Sequence, residues 1–263
     1  MSLSKQQKTD MGLLLKKQIR HKLKKYARET TNMPFHTQLL GQERVAVFSF
    51  VHSINTSLGQ VVFEQFAEMI AKPRFKRAIY QFKGFNNTIS SQSQNIIQEI
   101  MDDLGTGERR ADKLAEVKLI LENSQAGEMK KQPRPRVDLF LESEDGTEYY
   151  FDLKTAKPNK GDVIKFKRTF LEWVAIRGAM NPKPSRIFTG LAIPYNPYEP
   201  KPYERWTFEG MFDLPNELKV ADEFWDFLGG ANTYQDLLEL FEQVGIELAP
   251  EIDAKYASFS SRE

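Results

Sequence analysis

The sequence predicts an α/β protein centred on a β-hairpin that is followed by a helix and a further strand. Three observations carry this reading. Two β-like runs, Val137–Glu142 and 148–155, flank the turn residues Glu144-Asp145-Gly146. Asn159 stands where it can cap a helix over 160–177, and a buried-looking strand, Arg186–Ile193, comes next. Helical patterns occupy both ends. At 263 residues and 40% hydrophobic content the chain can bury one substantial core. The expected organisation is a basic helical arm (1–44), a central core (45–208) and an acidic helical extension packed on it (209–263).

In chain order, Leu13, Leu14, Ile19, Leu23 and Tyr26 recur at helical spacing among basic residues, which predicts a basic amphipathic helix over 12–28. Residues 1–30 hold nine Lys/Arg, the last of them Arg28, against Asp10 and Glu29, a local net of +7 in a chain of net +1, whereas the segment after Arg205 is predominantly acidic. Such asymmetry can lay a basic arm on a polyanion, and it is equally the signature of a solvated helix face. The stretch 45–54 contains a strand-like run. It leads into Ser57-Leu58-Gly59-Gln60, which reads as a capping box opening a helix that Pro73 stops. Residues 74–90 are basic, aromatic and rich in Gly and Asn, and helices follow around 92–104 and 110–123. Asn181-Pro182-Lys183-Pro184 ends the helix that Asn159 starts, and the four prolines of 194–202 predict an extended loop. Two short helices follow, one containing 223–227 and one over 233–244.

No apolar stretch approaches the roughly 20 residues of a membrane helix, and the N-terminus lacks the apolar segment of a secretion signal, so a cytoplasmic protein with no membrane partner is expected. The lack of cysteine excludes thiolate zinc, and His21, His36 and His52 are too few and too scattered to suggest a zinc site, so any metal is expected to be a hard, oxygen-bound cation.

The hairpin carries the chemistry. Cleaving a phosphodiester requires carboxylate oxygens to hold Mg²⁺ beside the phosphate and a cation to position or deprotonate the attacking water. Strand side chains alternate, so Asp152 and Lys154 share a face that Leu153 leaves, and Asp138 on the preceding strand can stand beside Asp152. The acidic-x-Lys triplet occurs six times in this chain, so context singles out Asp152–Lys154: an aromatic β run, a partner-strand aspartate and a following helix. The alternative is an ordinary ion pair on a solvent-facing strand. A third acidic group is expected from the helix bearing Leu58, Val62, Phe66, Met69 and Ile70: Glu64 lies off that stripe, where it can face a cleft with Gln60 and Gln65. Glu116 and Glu99 compete for that role. After the hairpin, Lys157, Asn159, Lys165, Lys167 and Arg168 are candidates for DNA phosphates. The stretches 74–90 and 194–206 are candidates for base recognition.

Arg136-Val137-Asp138 followed by Phe151-Asp152-Leu153-Lys154 resembles the PD-(D/E)XK nuclease signature, with Val137 in place of its proline. Phe151–Asn159 (Phe151-Asp152-Leu153-Lys154-Thr155-Ala156-Lys157-Pro158-Asn159), the Ser57-Leu58-Gly59…Glu64 helix and Phe224-Trp225-Asp226-Phe227-Leu228-Gly229-Gly230 are similar to the MjaII/TdeIII family of type II restriction endonucleases over about 45–245. This resemblance implies a restriction-endonuclease-like central mixed β-sheet flanked by helices, and Mg²⁺-dependent hydrolysis of double-stranded DNA at a short interrupted palindrome of the GGNCC type. It makes Asp138 and Asp152 metal ligands, with Glu64 as the helix-borne acid, and Lys154 the residue that orients or activates water. It implies a homodimer, and a cognate DNA methyltransferase as a genetic rather than physical partner. The competing readings are a repair, recombination or transposition nuclease of little sequence preference, and a DNA-binding protein without catalysis.

Overall fold

The computed structural model describes residues 3–27, 33–133, 135–154, 157–181 and 186–260, so Arg28, Thr155, Ala156 and the stop at 182–184 lie outside the described residues. The centre is a five-stranded mixed sheet of order β1-β4-β5-β6-β7, formed by Arg77–Phe82, Val137–Glu142, Thr147–Leu153, Arg186–Ile193 and Leu218–Val220. The expected hairpin is its core: β4 and β5 pair antiparallel, with Leu139 opposite Phe151 and Leu141 opposite Tyr149. β1 adds antiparallel to β4, whereas β6 and β7 add parallel on the other side. The crossover from β5 to β6 is α7 (Lys160–Met180), the helical connection that a parallel pair demands. Asn159 starts it with a capping box shared with Asp162. Arg177, near its other end, grips Glu148 on β5 with two bonds of 2.6 and 2.7 Å.

Alternation along β4 and β5 builds two cores. Phe140 and Tyr150 face α5 (Ser91–Thr106), α6 (Lys113–Glu122) and α7, where Ile97, Ile100, Phe170 and Trp173 are buried. Leu139, Leu141, Phe151 and Leu153 face α1 (Lys5–Lys25), α4 (Phe63–Ala71), α9 (Asp222–Gly229) and α10 (Thr233–Ser260). A separate small ladder joins β2 (Thr88–Ser90) to β3 (Met129–Lys131). α8 (Leu214–Glu217) leads into β7. No helix among the described residues is long and apolar enough to cross a membrane.

Three expectations need correction. The stretch 45–54 is helical, within α3 (Gln42–Ser57), which follows the short α2 (Pro34–Leu40). Its β-branched residues are overruled by packing: Phe50 is fully buried among the rings of Tyr26, Tyr256 and Phe259. Ser57 is not a helix cap. Its hydroxyl donates back to the Ser53 carbonyl within a helix that continues through a π turn, Leu58–Val62, into α4. The last helix is also far longer than expected, 28 residues with Pro250 inside it.

That long helix packs against the N-terminal one. α1 lies along α10, with Met11 and Leu15 buried between them and the rest of the second core, and three ion pairs cross the seam: Lys8 to Asp236 at 2.6 Å, Lys16 to Glu247 at 2.8 Å and Arg20 to Glu251 at 2.9 Å. The uneven charge of the two ends is thus partly resolved within the chain.

Candidate active site

The site sits where β4 begins and β5 ends, the same edge of the sheet because the two strands run antiparallel. Asp138 and Asp152 fall opposite one another, one step past the Leu139–Phe151 pair. The Leu153 amide donates to Asp138 Oδ2 at 2.9 Å, which fixes that carboxylate against β5. Lys154 Nζ stands 2.7 Å from Asp152 and 3.8 Å from Asp138, with the ring of Phe166 on α7 beneath it at 5.7 Å. The three residues expected to converge do so. Asp138 is nearly buried and Lys154 is 42% exposed, so the carboxylates are sheltered while the ammonium reaches solvent.

Glu64 joins them, and a backbone irregularity is the reason. His52, Asn55, Thr56 and Gly59 lie at spacings of three and four, one face of α3 and its continuation, and all four line a cleft of about 430 Å³ together with Glu64, Asp138, Asp152 and Lys154. A regular helix would next turn Phe63 toward that cleft. The π turn adds one residue to the spacing, so Glu64 takes the place and Phe63 packs instead near Trp225 and Phe241. Glu64 is 2% exposed rather than solvated, the commoner fate of a helix glutamate.

Two residues missed by the sequence reading complete the constellation. Arg136 bridges the acids, donating to Asp138 Oδ1 at 3.0 Å and to Glu64 Oε1 at 2.9 Å. Gln81, opposite Asp138 on β1, donates to Glu64 Oε2 at 2.9 Å. Gln81 has φ +48°, a strained value for a residue with a side chain, and that turn aims its amide at the glutamate. Arg136 was quoted as part of the nuclease signature, whereas Gln81 lay in the stretch suspected of base recognition.

The electrostatics are those of carboxylates short of a cation. Burial, then the facing Asp138 charge, pushes the Asp152 carboxyl up to about 6, against the lowering effect of Lys154. Burial likewise raises Glu64, opposed by its bonds from Gln81 and Arg136. Burial pulls Lys154 down, but Asp152 and Asp138 outweigh it and the net shift is upward. One buried oxygen, Asp152 Oδ1, has the Lys154 ammonium nearby but no properly directed hydrogen bond. That undersatisfied carboxylate oxygen beside Asp138 fits a hard divalent cation held by oxygen. Among the described residues no three acidic or histidine side chains are arranged to hold a metal ion, and the Arg136 guanidinium bonds both Glu64 and Asp138. The donor pair the geometry offers is therefore Asp138 with Asp152.

The raised Asp152 group makes a pH prediction for metal-free protein. An unfolded aspartate titrates near about 3.9, so between about 4 and about 6 the folded site keeps a proton that the unfolded chain has released. The group's contribution therefore favours the fold at low pH and is lost as pH rises through about 6. Asp152→Asn is expected to raise the melting temperature in EDTA at pH 7.5, and the gain should shrink as pH falls toward 4.5. A gain of equal size at both pH values would contradict this assignment.

The phosphate candidates on the following helix fare differently. Lys167 is a correction: it is fully buried, with Nζ 2.6 Å from Glu116 and 2.8 Å from Glu217, and no phosphate can reach it. Glu116 belongs to that cluster, on the far side of the sheet from Glu64, and Glu99 is exposed on α5. Lys165 is exposed, Arg168 donates to Gln98, and the Asn159 side chain is committed to its cap. Lys157 is exposed with its ammonium 5.1 Å from the Tyr198 ring centre. None of these five lines the cleft that holds Asp138, Asp152 and Lys154. The side chain of Gln60 lies outside the described residues.

Comparison with known proteins gives a family. The model of the type II restriction endonuclease HinfI matches residues 3–245. Among curated proteins the chain is similar to the type II restriction enzyme HgiCII of Herpetosiphon aurantiacus, 26% identical over 224 residues that cover 84% of this chain and 81% of the relative. It is similar to HgiEI and HgiBI of the same organism, each 24% identical over 225 residues covering 84% of this chain and 80% of the relative. The restriction-enzyme class expected from the sequence strings stands, and the family model that matches within it is HinfI.

Proposed function

The chain belongs to the HinfI family of type II restriction endonucleases, and from that premise we propose that it cuts both strands of a short interrupted palindrome, of the GGNCC type, with Mg²⁺ held at Asp138 and Asp152. The observation that carries the assignment of the site is the facing pair of sheltered aspartates with the Lys154 ammonium 2.7 Å from one of them. Bound there, Mg²⁺ supplies Lewis acidity toward a phosphate oxygen and makes water more acidic. The protein's own groups do the rest. Asp138, fixed by the Leu153 amide, gives one rigid oxygen donor, and Asp152 gives an oxygen that nothing else bonds well. Lys154 directs its charge at the place where negative charge accumulates during in-line attack and holds the attacking water by hydrogen bond. Glu64, anchored by Gln81, positions Arg136 and orders water in the cleft.

A palindromic target is matched by a two-fold protein, so the acting species is a homodimer with one such site per strand. Sequencing the ends of Mg²⁺-dependent digestion products of phage DNA tests the whole reading. Discrete fragments with one shared terminal sequence are expected. A smear of unrelated ends would overturn the target specificity, and intact DNA would overturn the site.

A further inference from the structure

Two sets of basic residues on α1 have different surroundings. Lys8, Lys16 and Arg20 are neutralised by acids of α10. His21, Lys22 and Lys25 instead face α3 and line a cleft of about 790 Å³ whose described lining contains no aspartate or glutamate. Among the described residues neither Lys22 nor Lys25 has an acidic partner; Lys22 Nζ donates only to the Ser53 hydroxyl, at 3.0 Å, and Lys25 is exposed. In a chain of net charge +1, a cleft whose described lining holds two lysines and no acid is a local excess of positive charge.

Its position supplies the counter-charge. His52 and Thr56 line both this cleft and the catalytic one, so the two are contiguous along α3. From Phe48 to Thr56 the helix rises about 12 Å, which is roughly three to four phosphate steps of one strand at about 3.4 Å of duplex axis each. A strand whose phosphate lies against Asp138, Asp152 and Lys154 and which leaves along α3 must pass over the basic cleft. We propose that this cleft is the track for the DNA backbone beside the cut, with Lys22 and Lys25 on α1, flanked by His21 and His52, holding the phosphates adjacent to the scissile one. The assignment rests on the placement of the catalytic site at Asp138, Asp152 and Lys154. It gives the paired and unpaired faces of α1 different functions, structural toward α10 and DNA-binding toward α3.

The test compares two variants of equal charge. Binding of a duplex containing the target is measured in Ca²⁺ over a range of salt concentrations for the parent, for Lys22→Gln/Lys25→Gln and for Lys16→Gln/Arg20→Gln. Each lost phosphate contact lowers the slope of log affinity against log salt by about 0.9, so the cleft variant should lose roughly 1.8 of slope and the control should keep the parent's. Circular dichroism checks the folding of both, and Lys25→Gln alone, at an exposed position, should lose about half as much. Equal slopes for parent and cleft variants overturn the proposal, as does an equal loss in the control, which would make the effect one of net charge. A parent that cuts DNA while the cleft variants keep its slope removes this inference alone; a parent that binds no duplex removes the catalytic reading with it.

Discussion

Lys154→Ala is expected to lose about 10²–10⁴ of the cleavage rate while binding its target duplex in Ca²⁺ within a few-fold of the parent. Among the described residues the ammonium is the one cation near both aspartates, at 2.7 and 3.8 Å, and it is exposed enough to meet a phosphate or a water. Arg136 also meets Asp138, but through the oxygen away from Lys154 and tied at its other end to Glu64, so it cannot substitute. Removing Lys154 leaves the carboxylates free to hold a cation and leaves the DNA track untouched, which is why binding survives and chemistry does not. Lys154→Arg sharpens the point: charge is retained, but a planar fork replaces a compact ammonium, so rescue should be slight. Single-turnover plasmid cleavage beside gel-shift binding gives both numbers. A Lys154→Ala protein that cuts at the parent's rate would remove the residue from the mechanism.

What could be read from the sequence followed local rules, and what could not depended on distant packing. The hairpin, the Asn159 cap and the Asp138/Asp152/Lys154 face follow from turn chemistry and a period of two, and the structure keeps them. Glu64 was also legible, but for an incomplete reason. The stripe analysis moved it off the apolar face, whereas the π turn at Leu58–Val62 is what rotates it into the cleft, and that same segment imitated a capping box. Gln81 gave no local signal, because its role comes from a positive φ on a strand opposite Asp138. The string Phe224–Gly230, which carried much of the resemblance, is architectural. Phe224, Trp225 and Leu228 fill the second core and Asp226 accepts the amides of Asn232 and Tyr234 at the start of α10. Lys167 could have been recognised: it lies four residues after Val163 and three before Phe170, inside the stripe already read as buried.

That lysine should also give the largest loss of stability. Lys167 and Lys113 are buried with Glu116 and Glu217, two cations and two anions from α6, α7 and α8 joined by contacts of 2.6 to 3.1 Å. Burial pulls Lys113 down and pushes Glu116 up, against the opposing pull of the Glu217 and Lys167 charges they face. Lys167→Met strands Glu116 and leaves Glu217 with Lys113 and the Asp213 amide; breaking a buried pair from one side costs about 3–5 kcal/mol, a large part of the roughly 5–15 kcal/mol that holds a domain folded. Lys167→Met/Glu116→Leu removes a whole pair and leaves Lys113–Glu217 intact, so it should recover most of that loss. The contrast matters more than either value, because a cavity or packing fault would make the double variant worse, not better. The cluster also lies next to the candidate site, since Lys167 follows Phe166, whose ring lies 5.7 Å from the Lys154 ammonium. Urea unfolding of the parent, the single and the double variant decides the matter. A single variant within about 0.5 kcal/mol of the parent, the range of ordinary surface changes, would mean that the four charges do not act as a unit.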